Sequence, residues 1–234
     1  MNYYRILTYN VFWRNMFFRN ECVSNINKLI NSKFNSDNIG DFIFLQEVAN
    51  HEKLLKNLDN NFNFIQHTSG KENMVTLVNK KYNIINNLPG QFMSGRPFLI
   101  TILDNNLCLI NVHYPHVSSY IPEFQKISNL LLKNNISLDK YRLIIGGDFN
   151  MDLPANITFI NKILSVSKSI KTCCIKKEME NLNIDKVLNK CSYNFDHICD
   201  SENNIVKSVL FFPHINNKVL PGSDHFGLYC KLIK

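Results

Sequence analysis

The stretch LIIGGDFNMD, residues 143–152, decides the fold. Leu143, Ile144 and Ile145 form an apolar run of strand length, and Gly146 and Gly147 break it. The chain then delivers Asp148 and Asn150, a carboxylate and an amide two residues apart. A buried carboxylate is costly unless it is paired, hydrogen-bonded or bound to a metal. A single Asp at a strand end reads as a turn cap.

The same ending recurs along the chain. Asn10 interrupts the apolar strand ILTYNVF, Gln46 and Glu47 end FIFLQEV, and His113 ends LCLINVH. Asp196 and His197 lie in YNFDHI, and Asp224 and His225 open the last strand in GSDHFGL. Recurrence across six strands points to one shared rim. Carboxylate and amide oxygens with no cysteine among them suit a hard cation such as Mg²⁺ or Mn²⁺, which typically meets one or two protein carboxylates plus substrate phosphate. Hydrolysis of a phosphate ester needs a base for water, donors for the developing charge and help for the leaving oxygen.

The rest of the chain reads as alternating strands and a few helices. Strands are expected at 4–12 and 41–48, with helices at 21–31 and 51–58. From 62 to 113 five strand-like runs follow, with Asp104, Asn105 and Asn106 as a hairpin turn. A helix at 121–134 has Pro122 in its first turn and an apolar face of Phe124, Ile127, Leu130 and Leu131. A strand at 142–146, a helix within 155–165 and three late strands complete the reading, while 165–194 shows no clear period. Two halves that each begin with a strand and a helix imply two packed sheets with helices outside, in one domain over residues 1–234.

Composition narrows the function classes. The 234 residues are 45% hydrophobic and 19% charged, enough for a full core. No apolar run is long enough to span a membrane, and no signal peptide is evident, so a soluble intracellular protein, cytoplasmic or nuclear, is expected. The seven cysteines, an odd number with no CxxC pair, predict reduced thiols, and the adjacent Cys173 and Cys174 have no metal-ligand spacing. A formal net charge of +7 favours a polyanionic partner, although the lysines are scattered as on any solvated surface.

Taken in order, TYN (8–10), LQE (45–47), NVH (111–113), GGDFN (146–150), FDH (195–197) and SDH (223–225) resemble the endonuclease/exonuclease/phosphatase family. The resemblance runs over nearly the whole chain. It implies an α/β fold, a four-layered α/β sandwich with two central, mostly antiparallel sheets flanked by helices and the active site at one edge. It implies Glu47 as principal metal ligand, with Asn10 and Asp224 beside the metal, and Mg²⁺ or Mn²⁺ as cofactor. His113 would contact phosphate, Asn150 a phosphate oxygen, and Asp148 the nucleophile or leaving group. Asp196 would orient His225, which activates water or stabilises the pentacovalent phosphate; whether Asp148 or His225 is the base stays open.

Two further residues are candidates for substrate binding. Arg96, in SGRPF, either reaches a phosphate or pairs at the surface, and Trp13 either stacks on a base or packs. The abasic endonucleases of the family show QETK where this chain has LQEVAN, and its inositol phosphatases show a WCDRIL-like segment where this chain has YNFDHIC. FIFLQEV, VTLVNKK, LCLINVH and GSDHFGLYCKL are most similar to the tyrosyl-DNA phosphodiesterase 2 branch. The implied activity is metal-dependent hydrolysis of phosphate esters in nucleic acid, DNA more than RNA; the oligomeric state is open, with a monomer as the default. The alternatives are a phosphatase of small or lipid substrates and a non-catalytic binding member.

Overall fold

The computed structural model describes residues 2–12, 14, 19–34, 40–49, 51–58, 60–70, 72–116, 121–159 and 162–234. Strand β1 (Tyr3–Asn10) crosses through helix α1 (Asn20–Phe34) and returns beside itself as β2 (Phe42–Gln46), in parallel. After the one-turn α2 (His51–Leu54), the strands β3 (Phe62–Ser69) and β4 (Glu72–Asn79) form an antiparallel hairpin. The second half repeats the plan. Strands β5 (Ile84–Gln91), β6 (Pro97–Leu103) and β7 (Leu107–His113) run antiparallel, and helix α3 (Ile121–Lys133) carries the chain over to β8 (Arg142–Asp148), parallel to β7. A parallel neighbour needs such a crossover, and helix is its usual form.

The remaining elements are β9 (Asn156–Phe159), β10 (Lys162–Val166), α4 (Ile184–Leu188), β11 (Asp196–Asp200), β12 (Ile205–Phe211), the short β13 (His214–Ile215) and β14 (Lys218–Val219), and β15 (Gly227–Ile233). One sheet has six strands in the order β12-β15-β1-β2-β4-β3, and the other has seven in the order β5-β6-β7-β8-β11-β10-β9. Ile6, Phe42, Phe44, Leu109, Ile144 and Ile198 fill the space between the sheets. Val23, Ile26 and Ile30 of α1 seal the outer face of the first sheet over Leu7, Ile43 and Leu45. Phe124, Ile127 and Leu131 of α3 seal the second sheet over Ile100, Ile110 and Ile145. The expected four layers are therefore present. Strands buried on both faces read as continuous apolar runs, which is why LCLINVH and RLIIGGD lack alternation.

Three expectations need correction. The helix within 155–165 is the hairpin β9–β10, paired Ile163 to Thr158 and Leu164 to Ile157. Its residues alternate, with Ile157 and Phe159 buried and Asn156 and Thr158 exposed, and β10 completes its pairing on β11. The helix at 51–58 keeps only its first turn before the chain bends to enter β3. Finally, Cys173 and Cys174 are joined in a disulfide, whereas Cys22, Cys108, Cys191, Cys199 and Cys230 are free and buried. No helix among the described residues is long and apolar enough to cross a membrane.

Candidate active site

The two crossovers explain the rim. β1 and β2 are parallel, as are β7 and β8, so all four present their C-terminal ends to the same edge of the molecule. In register, Asn10 stands beside Gln46 and His113 beside Asp148, while the first residue of antiparallel β11, Asp196, pairs with Asp148. Beneath the rim, Gln46 Nε2 donates to Asn111 Oδ1 (2.8 Å) and to Thr8 Oγ1 (3.2 Å), a wholly buried polar bridge that ties one sheet to the other. Such a bridge sets the relative position of the two halves of the site.

The double glycine of GGDFN has two separate causes. A Cβ on Gly146 would stand 2.5 Å from the Phe44 ring of the opposite sheet, and one on Gly147 would stand 1.9 Å from the Val112 carbonyl oxygen of the neighbouring strand. A side chain at Gly146 would have to displace the buried Phe44 ring, and one at Gly147 the neighbouring strand itself. Just past the strand ends, Phe12, Glu47 and Asn150 all adopt positive φ, at 52°, 55° and 50°. Non-glycine residues rarely do so, and here the turned backbone aims Glu47 and Asn150 into the rim.

At the centre, Asn10 Nδ2 donates to Asp148 Oδ2 at 2.9 Å and to Glu47 Oε1 at 3.0 Å, while its oxygen accepts from the Phe12 N–H at 2.9 Å. Asn10 is thus a bridge between two carboxylates. His225 Nδ1–H donates to Asp196 Oδ2 at 2.7 Å, and its Nε2 lies 3.8 Å from Asp148 Oδ2. The backbone of this dyad is clamped as well. Thr172 Oγ1 accepts from the Phe195 and Asp196 N–H groups, and Ser223 Oγ accepts from the His225 N–H while donating to the Asn10 carbonyl.

His113 and Arg96 form the opposite wall. A guanidinium N–H of Arg96 donates to His113 Nε2, and a further bond reaches the Tyr114 carbonyl at 3.0 Å. An arginine can only donate, so the His113 proton resides on Nδ1, which donates to Glu72 Oε2 at 2.9 Å. His113 Nε2 stands 3.5 Å from Asp148 Oδ2 and 3.6 Å from Glu47 Oε1. Asn150 Nδ2 donates to the Tyr114 carbonyl (2.8 Å), and its N–H binds Asp148 Oδ1 (2.8 Å).

Burial and charge together set the protonation states. Burial alone would push the Asp148 carboxyl up, but the neighbouring His225 and His113 rings, the Asn10 amide and the Asn150 N–H hold it below the usual carboxylate value. For Asp196 burial prevails over the His225 cation, and its carboxyl is raised. Burial works to lower the imidazole of His225, yet Asp196, Asp148 and Asp224 overcome it and raise it to about 10. Asp224 rises to about 6, by burial first and then by repulsion from Glu47 and Asp148. Glu72 is held low because the hydrogen bond from His113 and the nearby Arg96 outweigh burial.

Asn10, Glu47, His113, Asp148, Asn150, Asp196, Asp224 and His225 are thus brought to one rim, and Arg96 joins them there instead of pairing at a remote surface. Trp13 lies outside the described residues. Asn10 lies beside Glu47 as expected, and its oxygen accepts one hydrogen bond from the Phe12 N–H. Glu72, Thr172 and Ser223 escaped the sequence reading. Glu72 falls in the stretch GKEN, whose composition reads as a turn, and shows itself only as the first residue of β4, and Thr172 belongs to the segment without a period. Among the described residues no three His, Cys, Asp or Glu side chains form a ready metal cage. The all-oxygen pair of Glu47, near the mouth, and Asp224, raised by burial first and then by the nearby Glu47 and Asp148 carboxylates, nevertheless fits a hard divalent ion that completes its shell with water and phosphate.

No family model matches the chain. Protein L684 of Acanthamoeba polyphaga mimivirus is 27% identical over a 269-residue alignment, which takes in 98% of this chain. The chain spans about half the length of that protein, 50%. Among solved structures, D. rerio TDP2 complexed with a single-strand DNA product superposes with a TM-score of 0.69 at 16% identity, over 100% of both chains. An endonuclease/exonuclease/phosphatase family protein from Leptotrichia buccalis superposes with a TM-score of 0.65 at 17% identity, over 99% of this chain and 100% of that one.

The two sheets, the two crossovers and the polar rim therefore define a protein with the endonuclease/exonuclease/phosphatase fold. Within that fold the resemblance in motif wording to tyrosyl-DNA phosphodiesterase 2 has its counterpart in the solved structures that the chain matches.

Proposed function

We propose that the chain is a divalent-metal-dependent phosphodiesterase that hydrolyses phosphate esters in nucleic acid, 5′-phosphotyrosyl DNA ends among them. The observation that carries this reading is the contact of the charged pair His225–Asp196 with Asp148, at 2.7 and 3.8 Å, inside a rim that also holds Glu47, His113 and Arg96. His225 is a cation at neutral pH and can donate from Nε2 to a phosphoryl oxygen as charge develops. Asp148 is an anion whose Oδ1 is fixed by the Asn150 N–H, so its remaining lone pairs can orient a water for attack. On this reading Asp148 accepts and His225 donates.

Arg96 supplies a planar set of donors to the anionic phosphate, and Glu72 keeps His113 in one tautomer beside it. Glu47, with Asp224, would hold Mg²⁺ or Mn²⁺, which when bound polarises a phosphoryl oxygen and screens its charge. The net charge of +7 favours a polyanionic substrate, and the TDP2 structure solved with a DNA product supports nucleic acid over lipid. The test is a Mg²⁺-titrated panel of abasic duplex, 5′-phosphotyrosyl oligonucleotide, plain single and double strands, poly(A) and a phosphoinositide, each with His225→Ala as control. Metal-dependent cleavage that vanishes in the control is the expected result. A panel without cleavage, or cleavage that survives His225→Ala, rejects the proposal.

A further inference from the structure

Away from the rim, the outer face of the six-stranded sheet holds a cavity of about 440 Å³. Its floor is a rung of three cations. Lys231 on β15 pairs in register with Arg5 on β1 and with Lys207 on β12, and all three line the cavity. Neighbouring strands lie about 4.8 Å apart, and like charges placed directly opposite destabilise a sheet. Among the described residues that line the cavity there is no Asp or Glu to offset them. A fold that keeps three cations in one row, with no carboxylate among the described residues lining the cavity and only the Tyr3 ring face 5.9 Å from Lys231 Nζ, gains from an anion laid across them.

The next rung and the far wall are aromatic. Tyr229, one pleat further along β15, is half-buried, and the Phe212 and His214 rings stand 5.1 Å apart at the other end. A bare inorganic anion would use the cations and leave this wall idle. We propose that the groove binds a nucleotide unit, with phosphate on Arg5, Lys207 and Lys231 and the base against Tyr229, Phe212 and His214. Its volume suits such a ligand, since small-molecule sites span roughly 300–1,000 Å³. Arg5 precedes Asn10 by five residues on one strand, roughly 17 Å, so the cationic row stands apart from the rim, and the proposal does not rest on the phosphodiesterase reading.

The nucleotide is either free or part of a strand, and the experiment separates the two. Binding is measured in chelator on a Glu47→Gln background, so that hydrolysis plays no part. The probes are ATP, a labelled oligodeoxyadenylate and inorganic pyrophosphate. Lys231→Gln removes the middle cation and should weaken nucleotide binding about tenfold while leaving the melting temperature equal or higher, because repulsion is relieved. Phe212→Leu, which keeps an apolar side chain in place, should weaken ATP or the strand but not pyrophosphate. A response with ATP assigns a free nucleotide, and a response with the strand alone assigns a nucleotide within a chain. Unchanged affinity for every probe in Lys231→Gln overturns the proposal. Pyrophosphate bound as tightly as the nucleotides, with no effect of Phe212→Leu, overturns it too.

Discussion

Asp196→Asn is the perturbation that probes the rim most directly. The amide is nearly isosteric and can still accept from His225 Nδ1–H, so packing is kept and only the negative charge is lost. At 2.7 Å and an effective dielectric of about 20, that charge is worth about 6 kcal/mol to the imidazolium. At about 1.4 kcal/mol per pH unit, this exceeds the whole rise of His225 from 6.5 to about 10. Burial then prevails, and His225 becomes neutral at pH 7.5 with its one proton on Nδ1, leaving nothing on Nε2 to donate. Turnover should fall by a factor on the order of 10² to 10⁴, yet less than in His225→Ala, which loses the ring altogether. Ring NMR, with His225→Ala for assignment, reads the titration. In the parent the His225 signals should stay those of the cation from pH 5 to about 9, and in the variant they should move below pH 7. A parent His225 that titrates near 6.5, or a variant that titrates like the parent, would refute the charge-pair reasoning.

Other outcomes follow from the same geometry. Glu47→Gln should abolish hydrolysis while thermal denaturation stays within a few degrees of the parent, because Glu47 lies near the mouth and not in the core; retained activity would remove it from the metal site. Asp224 is more easily kept neutral in the fold than in the unfolded chain, so its stabilising share is complete below about pH 3.8 and is lost as pH rises through about 6. Asp224→Asn should therefore stabilise the metal-free protein at pH 7.5 by up to about 3 kcal/mol and hardly at all at pH 4, and urea titrations in chelator check the difference. Arg142 and Asp200 form a buried bidentate pair at 2.8 and 2.9 Å, so Asp200→Asn should cost about 3–5 kcal/mol, a fall of roughly 6–20 °C in a melting curve. Arg96→Lys keeps the charge but loses the planar fork, and should raise KM for a charged phosphodiester more than it lowers kcat; unchanged steady-state kinetics would place Arg96 outside the substrate path.

The sequence by itself determined the elements and the identity of most rim residues. Apolar runs bounded by turns marked the central strands, because strands buried on both faces must be apolar throughout. A carboxylate, amide or imidazole at the end of such a run was legible because it breaks that rule. Where burial was one-sided or local the reading faltered. The short edge hairpin at 156–166 has too few residues for a period to decide between helix and strand, and its pairing with β11 settled the matter. Only the tertiary structure brought Glu72 to His113, Thr172 and Ser223 to the backbone of the dyad, and Arg96 to the rim, because these contacts join segments far apart in the chain with no local signature. It alone set the protonation states as well. Asp148 and Asp196 are both buried aspartates at strand ends, yet the first is held anionic by several donors while burial raises the second. The row of Arg5, Lys207 and Lys231 is equally invisible in sequence, since strand register, a property of paired strands, places three scattered cations side by side.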